Sequence, residues 1–167
     1  MLTKTAFRIS GYVNDSIVDG PGIRFTVFVQ GCPHKCIGCH NPQTHSFTGG
    51  EVCSINDLLD KIKANPLLDG ITISGGEPFC QPEPLAELAK AVHELGLSVI
   101  TYTGYTFEEL YGNCSYRALL EHTDWLIDGK YIESEKDWQL KFRGSKNQRY
   151  LDCQASLKLG RAVEIIM

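Results

Sequence analysis

Apolar and polar positions along this chain fall into alternating strand-like and helix-like blocks. The apolar stretch Ile23 to Val29 reads as a buried strand. Ser54-Ile55-Asn56-Asp57 then opens a segment with Leu58, Leu59 and Ile62 at helical spacing, with Ser54 as N-cap and Asp57 near the positive end of the helix. This predicts a helix to about Ala64, stopped by Pro66. Gly70 to Ser74 alternates as a strand before the breaker pair Gly75-Gly76, and Pro82 to Leu95 repeats the helical period through Leu85, Leu88, Ala91, Val92 and Leu95, with Gly96 as C-cap. Leu97 to Tyr102 is strand-like again, Phe107 to Tyr111 and Tyr116 to His122 are short helices, and Trp125-Leu126-Ile127 is a buried strand ending in Asp128-Gly129. Residues 131–167 hold only short strand candidates, Arg149 to Leu151 and Ala162 to Ile166.

Strands alternating with helices predict an α/β fold, a parallel sheet with right-handed crossovers whose site lies at the carboxyl ends of the strands. Four loops follow predicted strands and are expected to converge on that rim. They are the loop beginning at Gly31, Gly75-Gly76-Glu77-Pro78, Thr103-Gly104-Tyr105 and Asp128-Gly129-Lys130.

Length and charge narrow the classes. A chain of 167 residues predicts one domain, residues 1–167, and folding at this size buries roughly 70% of the unfolded surface. Sixteen Lys plus Arg against twenty Asp plus Glu give a net charge of -4, without the global positive field that nonspecific phosphate binding requires, so nucleic acid is not an expected partner. Met1 to Arg8 carries no apolar signal core and no run of apolar residues is long enough to span a bilayer, so a cytoplasmic location away from membranes is expected.

The first rim loop changes the picture. Gly31-Cys32-Pro33-His34-Lys35-Cys36-Ile37-Gly38-Cys39-His40-Asn41 places three of the seven cysteines at C-x3-C-x2-C spacing. Clustered thiols in a reducing cytosol are metal ligands or catalysts more often than disulfides. Three thiolates this close can hold three irons of a cubane cluster and leave the fourth iron open to a substrate, unlike a carrier cluster held by four cysteines. Cys53, Cys80, Cys114 and Cys153 are scattered and are expected to be packing residues.

The cysteine spacing, Asp19-Gly20-Pro21-Gly22-Ile23-Arg24 and Ser74-Gly75-Gly76-Glu77-Pro78 together resemble the radical S-adenosylmethionine (SAM) enzymes, and among them the activases that install a glycyl radical on a partner enzyme. The short length, Tyr102-Thr103-Gly104-Tyr105, Ile127-Asp128-Gly129-Lys130 and Phe142 to Arg149 are similar to the branch of that family that acts on anaerobic ribonucleoside-triphosphate reductase. The resemblance implies an open, partial (β/α) barrel with a mostly parallel sheet, and a [4Fe-4S] cluster on Cys32, Cys36 and Cys39 whose open iron is chelated by SAM. It implies an oxidoreductase in which reductive cleavage of SAM yields a 5'-deoxyadenosyl radical that removes hydrogen from a glycine of the reductase, with a flavodoxin- or ferredoxin-like electron donor.

For SAM itself the resemblance implies Gly38, Cys39, His40, Gly75, Gly76, Glu77, Asp128 and Lys130. Gly75 and Gly76 lack the Cβ that would keep a ligand from the backbone, although an ordinary strand-to-helix turn has the same composition. Glu77 is expected either to accept a hydrogen bond from the SAM ammonium or to sit in the first turn of a helix begun by Pro78. Asp128 and Lys130 resemble a D-x-K pair near the SAM carboxylate and sugar; as a bare sequence they are a polar turn. His40 stands where the family has an aromatic ring against adenine. Lys141, Arg143, Lys146 and Arg149 read as a solvated basic loop, a contact with the reductase or SAM, or a phosphate site. His34, His45, His93 and His122 read as surface or capping residues. The competing readings are a pyruvate formate-lyase-type activase, a small radical enzyme on a free metabolite, and a non-catalytic zinc module on Cys32, Cys36, Cys39 and His40 or His45.

Overall fold

Backbone pairing joins seven strands into one sheet. The computed structural model describes residues 5–166; residues 1–4 and 167, which bear on the leader and domain-span expectations, lie outside the described residues. The strands are β1 (Ala6–Ser16), β2 (Arg24–Val29), β3 (Glu51–Ser54), β4 (Gly70–Gly75), β5 (Ser98–Tyr102), β6 (Trp125–Asp128) and β7 (Arg149–Asp152), in the order β3-β1-β2-β4-β5-β6-β7. The four central strands, β2, β4, β5 and β6, are parallel. β1 and β3 close one side antiparallel and β7 the other. The sheet is therefore open, with the expected parallel centre and antiparallel edges that the block pattern did not predict.

The helices follow the predicted periods. In α1 (Ile55–Lys63) the Ser54 side chain accepts from the Asp57 N–H, as expected of an N-cap, and Ile55, Leu58, Leu59 and Ile62 are buried. In α2 (Pro82–Glu94) proline enters in the first turn, and Gly96 follows at φ +79. Next come α3 (Phe107–Tyr111), opened by a Thr106–Glu109 capping box, and α4 (Arg117–Glu121), preceded by a 3-10 turn. α5 (Cys153–Leu159), which was not predicted, starts on the Asp152 side chain. Ala162 to Ile166, a strand candidate, makes only a bridge to β7 through Glu164 and Leu151.

Side chains alternate across a strand, and here the alternation separates two surfaces. Phe25, Val27, Ile71, Ile73, Val99, Leu126 and Leu151 pack with the buried faces of the helices in the main core. Each such side chain contributes about 1.5–3 kcal/mol by leaving water. The alternate residues Ile100, Ile127 and Tyr150 form a small second cluster on the opposite surface. The start of β2 is tied on that surface by Arg24, 1% exposed, whose guanidinium donates to Thr72 Oγ1 at 2.9 Å and to the carbonyls of Ile71 at 2.7 Å and Ser98 at 3.1 Å. No helix among the described residues is long and apolar enough to cross a membrane.

Candidate functional site

The surface of the sheet away from the helices opens at its carboxyl-end rim into a cavity of about 1150 Å³. Cys32, Cys36, Cys39 and His40 from the cysteine loop, Gly75 and Gly76 after β4, Thr103 and Gly104 after β5, and Gly129 after β6 all line it. The four loops expected to share a rim do so.

The cysteine loop is held by backbone. Gly31 N–H donates to the Thr44 carbonyl at 2.6 Å and Cys32 N–H to the His45 carbonyl at 3.1 Å, while Glu77 N–H returns to the Gly31 carbonyl at 2.8 Å. Cys39 N–H closes a turn on the Cys36 carbonyl at 3.2 Å, and the Cys39 sulfur accepts from Asn41 N–H at 3.4 Å. All seven cysteines are free. Burial pushes the Cys32 thiol above its ordinary pKa, opposed by backbone N–H groups of His34 and Lys35, so a bound cation is what would favour its thiolate. Among the described residues no three His, Cys, Asp or Glu side chains converge as ligands of a single ion. A cubane, in which each thiolate takes its own iron, does not ask them to. Three free thiols on one cavity wall fit that group.

The glycines fit for a different reason from the one expected. A Cβ on Gly75, at φ +93, would lie 2.4 Å from Val29 N, and one on Gly76 would lie 2.4 Å from the Gly31 carbonyl oxygen. The missing side chains let Gly75 lie against the backbone of β2 and Gly76 against Gly31 at the start of the cysteine loop, and both line the cavity. Gly38 does not line the cavity; its absent Cβ is the space taken by Glu133 and Tyr131. His40 does line it, its ring tilted against Tyr131 at 4.9 Å.

Glu77, Asp128 and Lys130 each have a place in the chain's own packing or on its surface. Glu77 is fully buried and does not line the cavity. Its carboxylate accepts from Phe79 N–H at 3.0 Å, Gly104 N–H at 2.8 Å and the Thr103 hydroxyl at 2.9 Å, and His34 Nε2 lies 2.6 Å from Oε1. It is the N-cap of the 3-10 turn Pro78–Cys80 and a clamp between three loops, so little acceptor capacity remains for a ligand. Asp128, 1% exposed, accepts from Phe107 N–H at 2.7 Å and from Arg149 Nε at 3.0 Å. Lys130 is exposed and outside the cavity. The D-x-K pair is a brace followed by a surface lysine.

The surface reading changes for His34, and the basic loop divides. His34 is buried against Glu77 and edge-on to Tyr105 at 4.6 Å; His93 pairs with Asp124 at 2.8 Å. Arg149 is bound to Asp128 and Glu108, which raise its pKa, whereas Lys141 and Lys146 are exposed and only Arg143 of the four lines the cavity. They do not form one basic patch. Of the scattered cysteines, Cys153 is buried and Cys53 partly so, but Cys80 and Cys114 are exposed.

Sequence reasoning gave several lining residues no place in the site. Tyr102 donates its hydroxyl to the Phe142 carbonyl at 2.7 Å, and burial raises its pKa. Asp19 accepts from the hydroxyls of Ser16 at 2.5 Å and Thr26 at 3.2 Å. Trp138, Leu140 and Phe142 are large apolar residues at alternate positions of a polar segment, and that contrast was the available signal.

Residues 18–151 match a family described as a 4Fe-4S single cluster domain. The anaerobic ribonucleoside-triphosphate reductase-activating protein of Vibrio cholerae is 38% identical over 148 residues, covering 82% of this chain and 92% of that protein. The protein of the same name from Escherichia coli is 36% identical over 150 residues, covering 82% and 93%. The pyruvate formate-lyase-activating enzyme of Clostridium pasteurianum is 40% identical over 135 residues, covering 77% of this chain and 54% of that enzyme, so the chain spans about half its length. Among solved structures, QueE from Escherichia coli superposes with a TM-score of 0.48 at 21% identity, covering 60% of this chain and 54% of that one.

Proposed function

Because the chain belongs to the anaerobic ribonucleoside-triphosphate reductase-activating proteins, radical SAM enzymes built on a 4Fe-4S single cluster domain, we propose that it installs a glycyl radical on that reductase. The observation that carries the proposal is the grouping of Cys32, Cys36 and Cys39 on one wall of a cavity at the carboxyl ends of the parallel strands. When bound, a [4Fe-4S] cluster and SAM supply one-electron reductive cleavage to methionine and a 5'-deoxyadenosyl radical, which takes a hydrogen atom from a glycine of the reductase.

This chain's residues hold and enclose that chemistry. Cys32, Cys36 and Cys39 ligate three irons. The backbone of Gly75 and Gly76 forms the facing wall, and His40 on Tyr131 offers an aromatic surface to the adenine. Gly38 lets the loop pack on Glu133, and Glu77 acts behind the wall by fixing the three loops. Excluding water matters because a primary carbon radical is otherwise quenched.

Partner and location follow from the same reading. Ile17 and Val18, each 72% exposed, and Trp138, 81% exposed, line the cavity; Ile37, 85% exposed, stands between two of the thiols. Apolar side chains left in water around a mouth suit a protein substrate better than a small polar one. The remaining cysteines are dispersed, so the electron comes from a separate flavodoxin- or ferredoxin-like carrier, and a reducing cytoplasm suits free cluster thiols. The unit acting is one domain, residues 1–167.

The test is anaerobic reconstitution with iron and sulfide, addition of SAM and reductant, and electron paramagnetic resonance (EPR) with purified reductase or pyruvate formate-lyase in parallel samples. A glycyl radical doublet on the reductase is the expected result. A doublet on the lyase alone, modification of a small molecule instead, or a protein that binds zinc and assembles no cubane overturns the proposal.

A further inference from the structure

His45 carries the one buried side-chain nitrogen or oxygen without a hydrogen-bond partner among the described residues, its Nε2. A buried polar ring nitrogen left unpaired costs about 1–3 kcal/mol, so such an atom in a cavity wall marks a missing hydrogen-bond partner. The ring lines the same cavity as Cys32, Cys36 and Cys39. Its backbone is fastened to the first of them, since the His45 carbonyl accepts from Cys32 N–H at 3.1 Å and the Thr44 carbonyl from Gly31 N–H at 2.6 Å. Thr44, fully buried, donates its hydroxyl to the Asn41 carbonyl at 2.6 Å and so fixes the turn that presents the ring.

We propose that His45 Nε2–H donates a hydrogen bond to a sulfur of the cluster and thereby sets its reduction potential. The inference rests on the cluster reading above. Attachment beside Cys32 favours an inorganic sulfide of the cluster over a group of SAM as the acceptor, since no cysteine sulfur pairs with the ring. Reduction adds one negative charge to the cluster, so a fixed N–H dipole stabilises the reduced form more than the oxidised form and raises the potential. His45 is in this account a cofactor-contacting residue that acts on the ease of electron entry, and the cysteines alone hold the irons.

The experiment compares reconstituted unsubstituted protein with His45→Phe and His45→Gln by EPR-monitored redox titration without SAM, after iron and sulfide analysis of each. His45→Phe removes the donor and keeps an aromatic ring; its midpoint is expected to fall by an amount equal to about tenfold in the one-electron equilibrium, ~59 mV. His45→Gln keeps an N–H and is expected to recover much of that loss. Equal midpoints in all three proteins at equal cluster loading overturn the His45 proposal while leaving the cluster reading intact. A difference that emerges only when SAM is added also overturns it, because the acceptor is then SAM. Absence of a cubane in the unsubstituted protein instead overturns the cluster reading, and the His45 proposal with it. Should His45→Phe assemble no cluster, pulsed EPR of the reduced unsubstituted protein with and without ¹⁵N-labelled histidine decides. A weak histidine-nitrogen coupling that persists in His40→Phe supports the bond, and no such coupling overturns it.

Discussion

Asp128 shows how a residue's partners decide its role. Its carboxylate is enclosed by Phe107 N–H and the Arg149 guanidinium, and Arg149 is shared with exposed Glu108. Asp128→Asn keeps the shape but turns an amide N–H toward a cation, and losing charge-assisted bonds of this kind costs roughly 1.5–3 kcal/mol, toward the lower figure because Arg149 is partly solvated. Urea unfolding should show that loss, with cluster loading at low denaturant retained; the reverse pattern would restore Asp128 as a ligand contact. Cys153 gives a pH prediction. Burial pushes its thiol from 9.0 up to about 12, so its stabilising effect is fully present below pH 9 and is lost as pH rises toward 12, where the unfolded chain's thiolate is favoured. The stability difference between unsubstituted protein and Cys153→Ser should shrink over that range, by up to about 1.4 kcal/mol per pH unit. In contrast, Cys36→Ala should abolish the cluster's visible absorption, while Cys114→Ala on the exposed surface should not change it. The grouping of Cys32, Cys36 and Cys39 on one cavity was legible because their spacing is local. The brace between Asp128 and Arg149 was not legible because the two lie 21 residues apart, on strands whose pairing no spacing announces.

Between elements, Glu77 is the point where the β4 loop, the β5 loop and the cysteine loop meet. Because both oxygens face donors, Glu77→Gln places an NH₂ against an N–H or hydroxyl donor and should loosen all three loops together. The expected result is faster loss of iron to a chelator in the absence of SAM. A residue that only contacted SAM would leave that rate unchanged and raise the SAM concentration required. The parallel centre was readable because β2, β4, β5 and β6 are buried on both surfaces and punctuated by glycine or Asp-Gly, and because α1 and α2 carry caps. The edges were not. β1 is largely exposed along Tyr12 to Asp15, and its pairing with β2 shifts register between Ile9 and Gly11 and again between Val13 and Ser16, so alternation breaks where a reader would count it. β3 and β7 have four residues each, and α5 begins directly on the last residue of β7, leaving no breaker to announce it.

At the scale of the molecule, the helices cover one surface of the sheet and leave the other to a cavity wider than a small ligand needs. Pockets for drug-sized molecules run to about 300–1000 Å³, and this one is larger and ringed by side chains that water solvates poorly. Trp138 is the most favourable single anchor there. It lines the mouth at 81% exposure with Lys136 Nζ 4.4 Å above its ring, and none of the described residues buries it. Tryptophan truncation at the centre of a protein interface commonly costs at least about 2 kcal/mol, more than tenfold in affinity. Trp138→Ala should therefore weaken binding to the reductase by at least about tenfold in a direct titration, while the side chain's exposure leaves thermal unfolding and iron content as before. Lys141→Ala, on the same segment but exposed and outside the cavity, is the comparison, with a weaker effect that fades as salt rises. If both substitutions weaken binding equally and only at low salt, charge rather than apolar contact brings the partner to the mouth, and the apolar ring has another use.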